Sequence, residues 1–318
     1  MKRTRLLSIS FPSGGYGSVE ENRDQMVMYL EQAGKYQPDF VCFTEVAREL
    51  GVPRNHQAWK GELIPGPTTE ALGATARKYQ THVIVGMQER AGNRTFNAAV
   101  LIGRDGEVIG IYHKIQPTIG EMETGTISGI KAPTWETDRG QVGMCICFDL
   151  KFPEVAMMLA REGARMVFFP SMFHGGMRHG AWARDYGVFL VVSQSQESVI
   201  VDMCGRRLAW QGYQEPLVGK GDLLPFAFAE VNTNCKAYHL DFNQEKLGRV
   251  EAKYGSGVRF SILRPEATFV MESLMEDVSV EQIEDQFGLE DLWSYYDRAR
   301  RVRGEQLYEH NTNSPSSN

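Results

Sequence analysis

Short apolar runs alternate along this chain with segments of helical character, and this alternation constrains the fold more than any other sequence feature. Residues 40–43 and 166–169 are continuous apolar runs, which is typical of strands buried on both faces. Residues 18–36 carry apolar side chains at helical spacing, and residues 68–79 form a second predicted helix after a Gly-Pro pair. Strands of this kind need helices on both sides, so the pattern predicts an α/β fold.

Length and charge limit the classes of protein that fit. At about 150 residues per domain, 318 residues suggest about two domains, although α/β folds of about 250 residues often form one. The 34 basic and 40 acidic residues give a net charge of −6, which disfavours nonspecific binding to nucleic acid or to an anionic membrane. No stretch reaches the ~20 apolar residues of a membrane span. We therefore expect no nucleic-acid partner and no membrane partner.

The N-terminus and the cysteines indicate the cellular setting. The first ten residues are basic and then apolar, but serines interrupt the apolar run and Pro12 follows it. This segment is a predicted first strand rather than a signal peptide. Five cysteines are too few for a disulfide scaffold in a chain of this length, and their number is odd. A reducing cytoplasm is the simpler expectation.

The character of the chain changes after residue 265. Acidic residues accumulate from Glu272 onward, apolar residues then recur at helical spacing over 289–299, and a group of arginines follows. We predict one domain over residues 1–265 and a helical, acidic C-terminal extension over residues 266–318. The basic end suits a helix C-terminus better than a nucleic-acid site, and residues 310–318 are predicted to be disordered.

The most specific local sequence motif is GMCICFDLKFPE, residues 143–154. Cys147 ends a strand predicted over 141–147, and Pro153 suits the start of the next helix. A nucleophile at a strand-to-helix turn is exposed, and nearby backbone N–H groups can face a developing oxyanion. The alternative is that Cys147 is one more buried free cysteine.

Two further chemical groups stand at strand ends. Glu45 follows the apolar run 40–43, and Lys114 lies at the end of the second strand of a hairpin predicted from the segments 97–102 and 107–112. α/β proteins place their sites at such ends. Either residue alone would be interpreted as a solvated side chain at the end of a strand. A glutamate, a lysine and a cysteine that all lie at strand ends favour a catalytic group.

These segments resemble the nitrilase superfamily, the carbon–nitrogen hydrolases. Glu45 stands in FTE where the family usually has PE, and Lys114 stands in YHKI, similar to a YRK motif. Cys147 stands in ICFDLKFPE, close to the family phrase ICYDxRFPE. The three residues follow the family order, and the resemblance covers roughly residues 3–231.

The resemblance implies a fold and a mechanism. The family fold is a four-layer α-β-β-α sandwich with two stacked sheets, and its members usually form homo-oligomers, at least dimers. Cys147 would form a thioester-type intermediate, Glu45 would transfer protons, and Lys114 with the backbone N–H of Phe148 would stabilise the oxyanion. No cofactor is implied.

The resemblance also suggests residues that position the substrate. Many members carry a second glutamate after the lysine, and Glu121 is the candidate here, with Glu123 as the fallback. Phe173 and His174 lie in a glycine-rich segment after a predicted strand and are candidates for the substrate pocket. The family helix that usually reads RAxEN here reads WARDY, so Asp185 replaces the glutamate and Tyr186 the asparagine.

The expected reaction is hydrolysis of a small non-peptide amide. Phe148-Asp149 differs from the Trp-Glu pair of nitrile-cleaving members and favours an amide over a nitrile. The alternatives are hydrolysis of an N-carbamoyl compound, a nitrilase, or a non-catalytic binding protein that keeps the fold. Cys145 with Cys147 could bind a metal ion, but no second pair completes the usual four ligands, so no metal site is predicted.

Overall fold

A computed structural model describes residues 2–212 and 225–313. The chain forms two compact units, Lys2–Thr233 and the residues from Asn234 onward. Within the described ranges, none of the helices has both the length and the apolar character that crossing a membrane requires.

The first unit contains two six-stranded sheets, as the strand alternation predicts. The first sheet has the order β12-β1-β2-β3-β4-β5, with β2 parallel to both of its neighbours and every other pair antiparallel. Its strands are β1 Arg3–Ile9, β2 Phe40–Cys42, β3 His82–Ala91, β4 Arg94–Ile102, β5 Val108–His113 and β12 Phe226–Asn232.

The second sheet has the order β11-β10-β9-β8-β7-β6, and β7, β8 and β9 run parallel. Its strands are β6 Thr134–Thr137, β7 Gly140–Met144, β8 Met166–Ser171, β9 Phe189–Gln194, β10 Glu197–Val201 and β11 Arg207–Gly212. The strand predicted over 141–147 therefore ends three residues early. Cys147 has a φ of +49°, which is incompatible with a continuing strand.

The two sheets pack face to face. The Thr44 hydroxyl donates to the Ser171 carbonyl across the interface at 2.7 Å, and the rings of Phe40 and Phe168 lie 5.1 Å apart. Four helices cover the outer faces, and their bounds are α1 Val19–Gly34, α2 Pro67–Tyr79, α4 Pro153–Arg161 and α5 Arg178–Tyr186. The short helix α3 Ile119–Glu123 follows β5. Buried side chains of α1 and α2 join the core of the first sheet, and α4 and α5 lie against the second. The predicted four-layer sandwich is confirmed.

Local sequence explains where the first helices begin. The Ser18 side chain caps α1 by accepting the Glu21 N–H, and two glutamates in the first turn suit the positive end of the helix dipole. Pro67 opens α2 at a position where its missing N–H costs nothing.

The second unit holds a three-stranded antiparallel sheet in the order β13-β15-β14. Its elements are β13 Cys235–His239, α6 Gln244–Tyr254, β14 Val258–Leu263, β15 Thr268–Ser273, α7 Val280–Phe287 and α8 Leu292–Asn313. The predicted boundary after residue 265 falls between β14 and β15, which pair with each other.

The start of the predicted helical extension is corrected by β15. Phe269 and Met271 of this strand are fully buried and pack with Ile283 of α7 in the core of this unit. Pairing with the neighbouring strands stabilises β15 although acidic residues surround it in sequence. The helical part of this region begins only at Val280. Helix α8 continues to Asn313, into the stretch predicted to be disordered, and residues 314–318 lie outside the described residues.

Candidate active site

Cys147 lies at a sharp turn at the end of β7. It is the first residue of a short 3₁₀ helix, Cys147–Lys151, and only 8% of it is exposed. A positive φ is uncommon for a residue other than glycine and is often found at functional sites. Phe148 is the next residue of this helix, is half-buried, and packs its ring edge-on against Phe152.

Asp149 fixes the turn from within. Its fully buried carboxylate accepts the backbone N–H groups of Ile146 and Gln116, each at 2.8 Å, and the hydroxyl of Tyr112 at 2.7 Å. Ile146 precedes Cys147, whereas Tyr112 and Gln116 flank Lys114 in sequence. One carboxylate therefore joins the two segments that carry the predicted catalytic cysteine and lysine.

Glu45 is buried just beyond β2, and each of its carboxylate oxygens has a partner. Oε1 accepts from the Lys114 ammonium and from the Asn97 side-chain amide, both at 2.8 Å. Oε2 accepts the backbone N–H of Met172 at 2.9 Å. These contacts bind the glutamate to strands of both sheets.

Lys114 is 1% exposed and contacts two carboxylates. Its Nζ lies 2.8 Å from Glu45 and 2.9 Å from Glu121. Burial alone would lower the pKa of Lys114, but the negative charges of the Glu45 and Glu121 carboxylates raise it above the ordinary value. The lysine therefore stays an ammonium.

Glu121 reaches the site from α3. Its carboxylate accepts the Thr118 N–H at 2.7 Å, which completes a capping box, and the Asn97 amide at 2.6 Å. Burial raises the pKa of Glu121, but the Lys114 ammonium outweighs it and the net shift is downward. The structure brings Glu121 to Lys114, and the fallback Glu123 is exposed.

Electrostatics keep the Cys147 thiol protonated at rest. Burial is the main cause that raises its pKa to about 12, the Glu45 carboxylate adds to the shift, and the Lys114 ammonium partly offsets it. The thiol therefore lies close to a carboxylate and an ammonium within one buried cluster.

Asn97 is a site residue that the sequence did not reveal. It is 1% exposed, and its amide nitrogen donates to both Glu45 and Glu121. It stands in β4 in register with Gln88 of β3. The one available signal was a polar residue directly before the apolar run 98–102.

Phe173 and His174 follow β8, just after Met172. The Phe173 backbone exchanges hydrogen bonds with the Ser171 hydroxyl, and the Lys151 ammonium lies 4.7 Å from the centre of its ring. His174 is half-buried in the same segment. Their predicted contact with substrate stays a prediction.

A cavity of about 590 Å³ opens beside Glu121. Its walls come from the loop after Glu45, the β3–β4 hairpin and the segment around α3. The lining residues are Arg54, Asn55, His56, Trp59, Lys60, Gln88, Asn93, Thr95, Thr118, Gly120, Glu121, Thr124, Gly125 and Thr126. The basic residues of this loop were not predicted, because exposed charges in a loop carry no periodic signal.

Cys145 is fully buried, and no group of three or more His, Cys, Asp and Glu side chains within residues 2–212 and 225–313 could hold a metal ion.

The family model of the carbon-nitrogen hydrolases matches residues 8–188, which is more than half of the chain. The matched segment includes Glu45, Lys114 and Cys147. The chain therefore belongs to the carbon-nitrogen hydrolase family, and the resemblance to the nitrilase superfamily is confirmed.

Individual relatives show how far this similarity extends. The chloroplastic omega-amidase of Arabidopsis thaliana is 32% identical over 117 residues, which cover 34% of this chain and 32% of the relative. A bifunctional nitrilase/nitrile hydratase of Lupinus angustifolius is 26% identical over 167 residues, covering 46% of this chain and 48% of the relative. The matches therefore span between about a third and a half of the length of these two relatives.

Among solved structures, an amidase from Nesterenkonia sp. has a similar fold. Its TM-score is 0.62 at 17% sequence identity, and the alignment covers 79% of this chain and 96% of that one. At this identity the likeness establishes the fold.

Proposed function

We propose that this protein hydrolyses the C–N bond of a small, non-peptide amide and releases ammonia or an amine. One observation carries the proposal: a cysteine at a strained turn, a fully partnered glutamate and a buried lysine meet in one cluster beside a cavity. This combination supplies a nucleophile, a proton carrier and an oxyanion-stabilising cation. Similarity to an omega-amidase and to an amidase supports the amide as substrate.

Acylation would begin with the neutral Cys147 thiol. Its sulfur attacks the amide carbonyl carbon while its proton passes to Glu45, so no free thiolate has to accumulate. The negative charge moves to the carbonyl oxygen, where the Lys114 ammonium and the Phe148 backbone N–H stabilise it. When the tetrahedral species collapses, the C–N bond breaks, and Glu45 returns its proton to the leaving nitrogen. A thioester on Cys147 remains.

Deacylation would use the same groups in reverse order. Glu45 removes a proton from water as the water oxygen bonds to the thioester carbon. The C–S bond then breaks, the sulfur recovers the proton from Glu45, and a carboxylic acid leaves. Glu121 takes no proton in this scheme and holds the ammonium of Lys114 in place through their 2.9 Å contact.

Nitriles and carbamoyl compounds are the alternative substrates. The nitrilase relative favours a nitrile, whereas Phe148-Asp149 after the cysteine favours an amide. A carbamoyl compound would release carbon dioxide with ammonia. We further propose a cytoplasmic homo-oligomer that requires no cofactor.

Ammonia release from small amides, omega-amides, carbamoyl compounds and nitriles tests the proposal. We expect turnover of amides, and Cys147→Ala should lower it by at least about 10³-fold because the covalent route is lost. Cys204→Ala, a half-buried cysteine outside the cluster, is the matched control and should keep full activity.

Activity that survives in Cys147→Ala would overturn the mechanism. If the wild-type protein releases no ammonia from any compound of the panel, the result would instead favour a non-catalytic binding protein that keeps the fold.

A further inference from the structure

We propose that the cavity beside Glu121 contains a carboxylate-binding subsite formed by Arg54 and Lys60, so that the substrate is an amide that also carries a carboxylate. This inference rests on the proposed function and names the class of its substrate. It starts from the charges of the cavity wall.

The charges on this wall are unbalanced. Arg54 and Lys60 are the arginine and the lysine of the lining, and Glu121 is its one acidic residue. The Glu121 carboxylate is already bound by Lys114 and Thr118, so it does not neutralise the loop. Within residues 2–212 and 225–313, neither Arg54 nor Lys60 forms a salt bridge. An anionic ligand would supply the missing counter-charge.

Arg54 is held in place without being neutralised. Its guanidinium carbon lies 3.7 Å from the centre of the Trp59 ring, a cation–π contact, and its N–H groups donate no hydrogen bond to the residues that the structure describes. The Trp59 indole N–H donates to the Val52 carbonyl at 3.0 Å, which fixes the ring beneath the arginine. A planar guanidinium matches a carboxylate, which it can bind through two parallel hydrogen bonds.

The loop that carries these residues is anchored internally. Arg48 binds Glu49 at 2.7 Å and Glu62 at 2.9 Å, and these three side chains are largely buried at the two ends of the loop. Binding an anion therefore costs little ordering of the loop backbone, which favours affinity.

His56 adds a hydrogen-bond donor. Its Nδ1 accepts the backbone N–H of Ala58 at 3.1 Å, so in the neutral ring the proton is on Nε2. His56 therefore lines the same cavity with a donor and not with a competing acceptor.

The cavity also sets where the two ends of the substrate lie. Glu121 lines the cavity and contacts Lys114, so one wall of the cavity adjoins the proposed catalytic cluster while another wall carries Arg54 and Lys60. An amide at one end and a carboxylate at the other satisfy both regions. An uncharged amide would leave Arg54 and Lys60 without a counter-charge.

Paired substrates test the subsite. Glutaramate and pentanamide share a four-carbon chain length beyond the amide carbonyl, but only glutaramate ends in a carboxylate. We expect kcat/KM to be at least about 10-fold higher for glutaramate, since charge-assisted hydrogen bonds are worth more than a factor of ten. Arg54→Gln and Lys60→Gln should each raise KM for glutaramate about 10-fold, with kcat within about 2-fold, and leave pentanamide unchanged.

Arg94→Gln is the matched control, because Arg94 is an exposed cation on the β3–β4 hairpin, which forms part of the cavity wall, but Arg94 itself does not line the cavity. An equal loss in Arg94→Gln would show a general charge effect and overturn the subsite. Equal losses on both substrates in Arg54→Gln would also overturn it.

Calorimetric binding of glutarate to Cys147→Ala separates this inference from the proposed function. Binding that Arg54→Gln abolishes, in a protein that hydrolyses no amide, would keep the subsite and reject the amidase. Hydrolysis of pentanamide without any glutarate binding would keep the amidase and reject the subsite.

Discussion

At the scale of single residues, Asp149 connects the proposed nucleophile to the proposed oxyanion cation without contacting either. It accepts hydrogen bonds from Ile146, Gln116 and Tyr112, and all three lie beside Cys147 or Lys114 in sequence. A displacement of about 1 Å at a reacting group can cost about 10²-fold in rate. Asp149 is therefore a positioning residue for the proposed reaction.

The pH dependence of activity should report this role. Burial is the main cause that raises the pKa of Asp149 to about 6, and the Ile146 N–H partly offsets it. Protonation removes an acceptor from the network, so kcat should fall below about pH 6. Asp149→Asn should lower kcat about 10- to 100-fold at pH 8 and abolish this acid limb. Stopped-time ammonia assays from pH 5 to 9 measure both effects.

Stability should change in the opposite direction. The pKa of Asp149 is 3.8 ordinarily and higher in the folded state, so the folded state retains the proton between these values. Its contribution to the free energy of unfolding therefore falls as pH rises from about 4 to 6, while activity rises. The exposed Asp185→Asn is the control, and loss of the acid limb in that variant would contradict the assignment.

At the scale of elements, strand β3 sets the position of Glu45. A Cβ at Gly86 would lie 2.5 Å from the Thr44 carbonyl oxygen and 2.6 Å from the Glu45 Cα. The Gly86 carbonyl also accepts the Ala47 N–H at 2.8 Å. A glycine is therefore needed where the strand passes the turn that carries the proposed base.

Gly86→Ala should push this turn away from β3. We expect kcat to fall at least about 10²-fold because Glu45 moves, with about 1–3 kcal/mol lost in the free energy of unfolding from overpacking. Urea unfolding and steady-state kinetics measure the two losses. Gly14→Ala, where an added Cβ meets no atom within 4 Å, should change neither quantity. Unchanged kcat in Gly86→Ala would contradict the role of β3.

Periodicity predicted the elements of the first unit well and those of the second unit poorly. Residues 40–43, 68–79 and 166–169 carry strong local patterns, and they form β2, α2 and β8. The strand β15 has no such signal, since it lies among acidic residues and gains its stability by pairing with β13 and β14. Strand β7 was predicted to reach Cys147 but ends at Met144, because contacts of Asp149 with residues distant in sequence fix the turn.

At the scale of the whole molecule, assembly stays a prediction from the family resemblance. Helices α4 and α5 form an outer layer, and Met158 and Met177 are exposed there. Burial of such side chains would favour association through this layer. We expect light scattering to give at least twice the chain mass of 35.8 kDa.

The double substitution Met158→Glu with Met177→Glu should shift this mass towards the monomer, because carboxylates resist burial. Met28→Glu on the exposed side of α1 is the matched control and should leave the mass unchanged. A monomeric wild-type protein would reject the predicted homo-oligomer.

The sequence by itself determined the α/β class and the family, and it predicted Glu45, Lys114 and Cys147 as the catalytic residues, because side-chain periodicity and short motifs are local properties. Tertiary structure alone decided which residues support them. Asn97 reaches Glu45 across 52 positions, and Asp149 reaches Gln116 across 33. The unbalanced charges of Arg54 and Lys60 likewise gain meaning only beside the cavity. Such contacts depend on how distant strands pack, and no local pattern of residues records that.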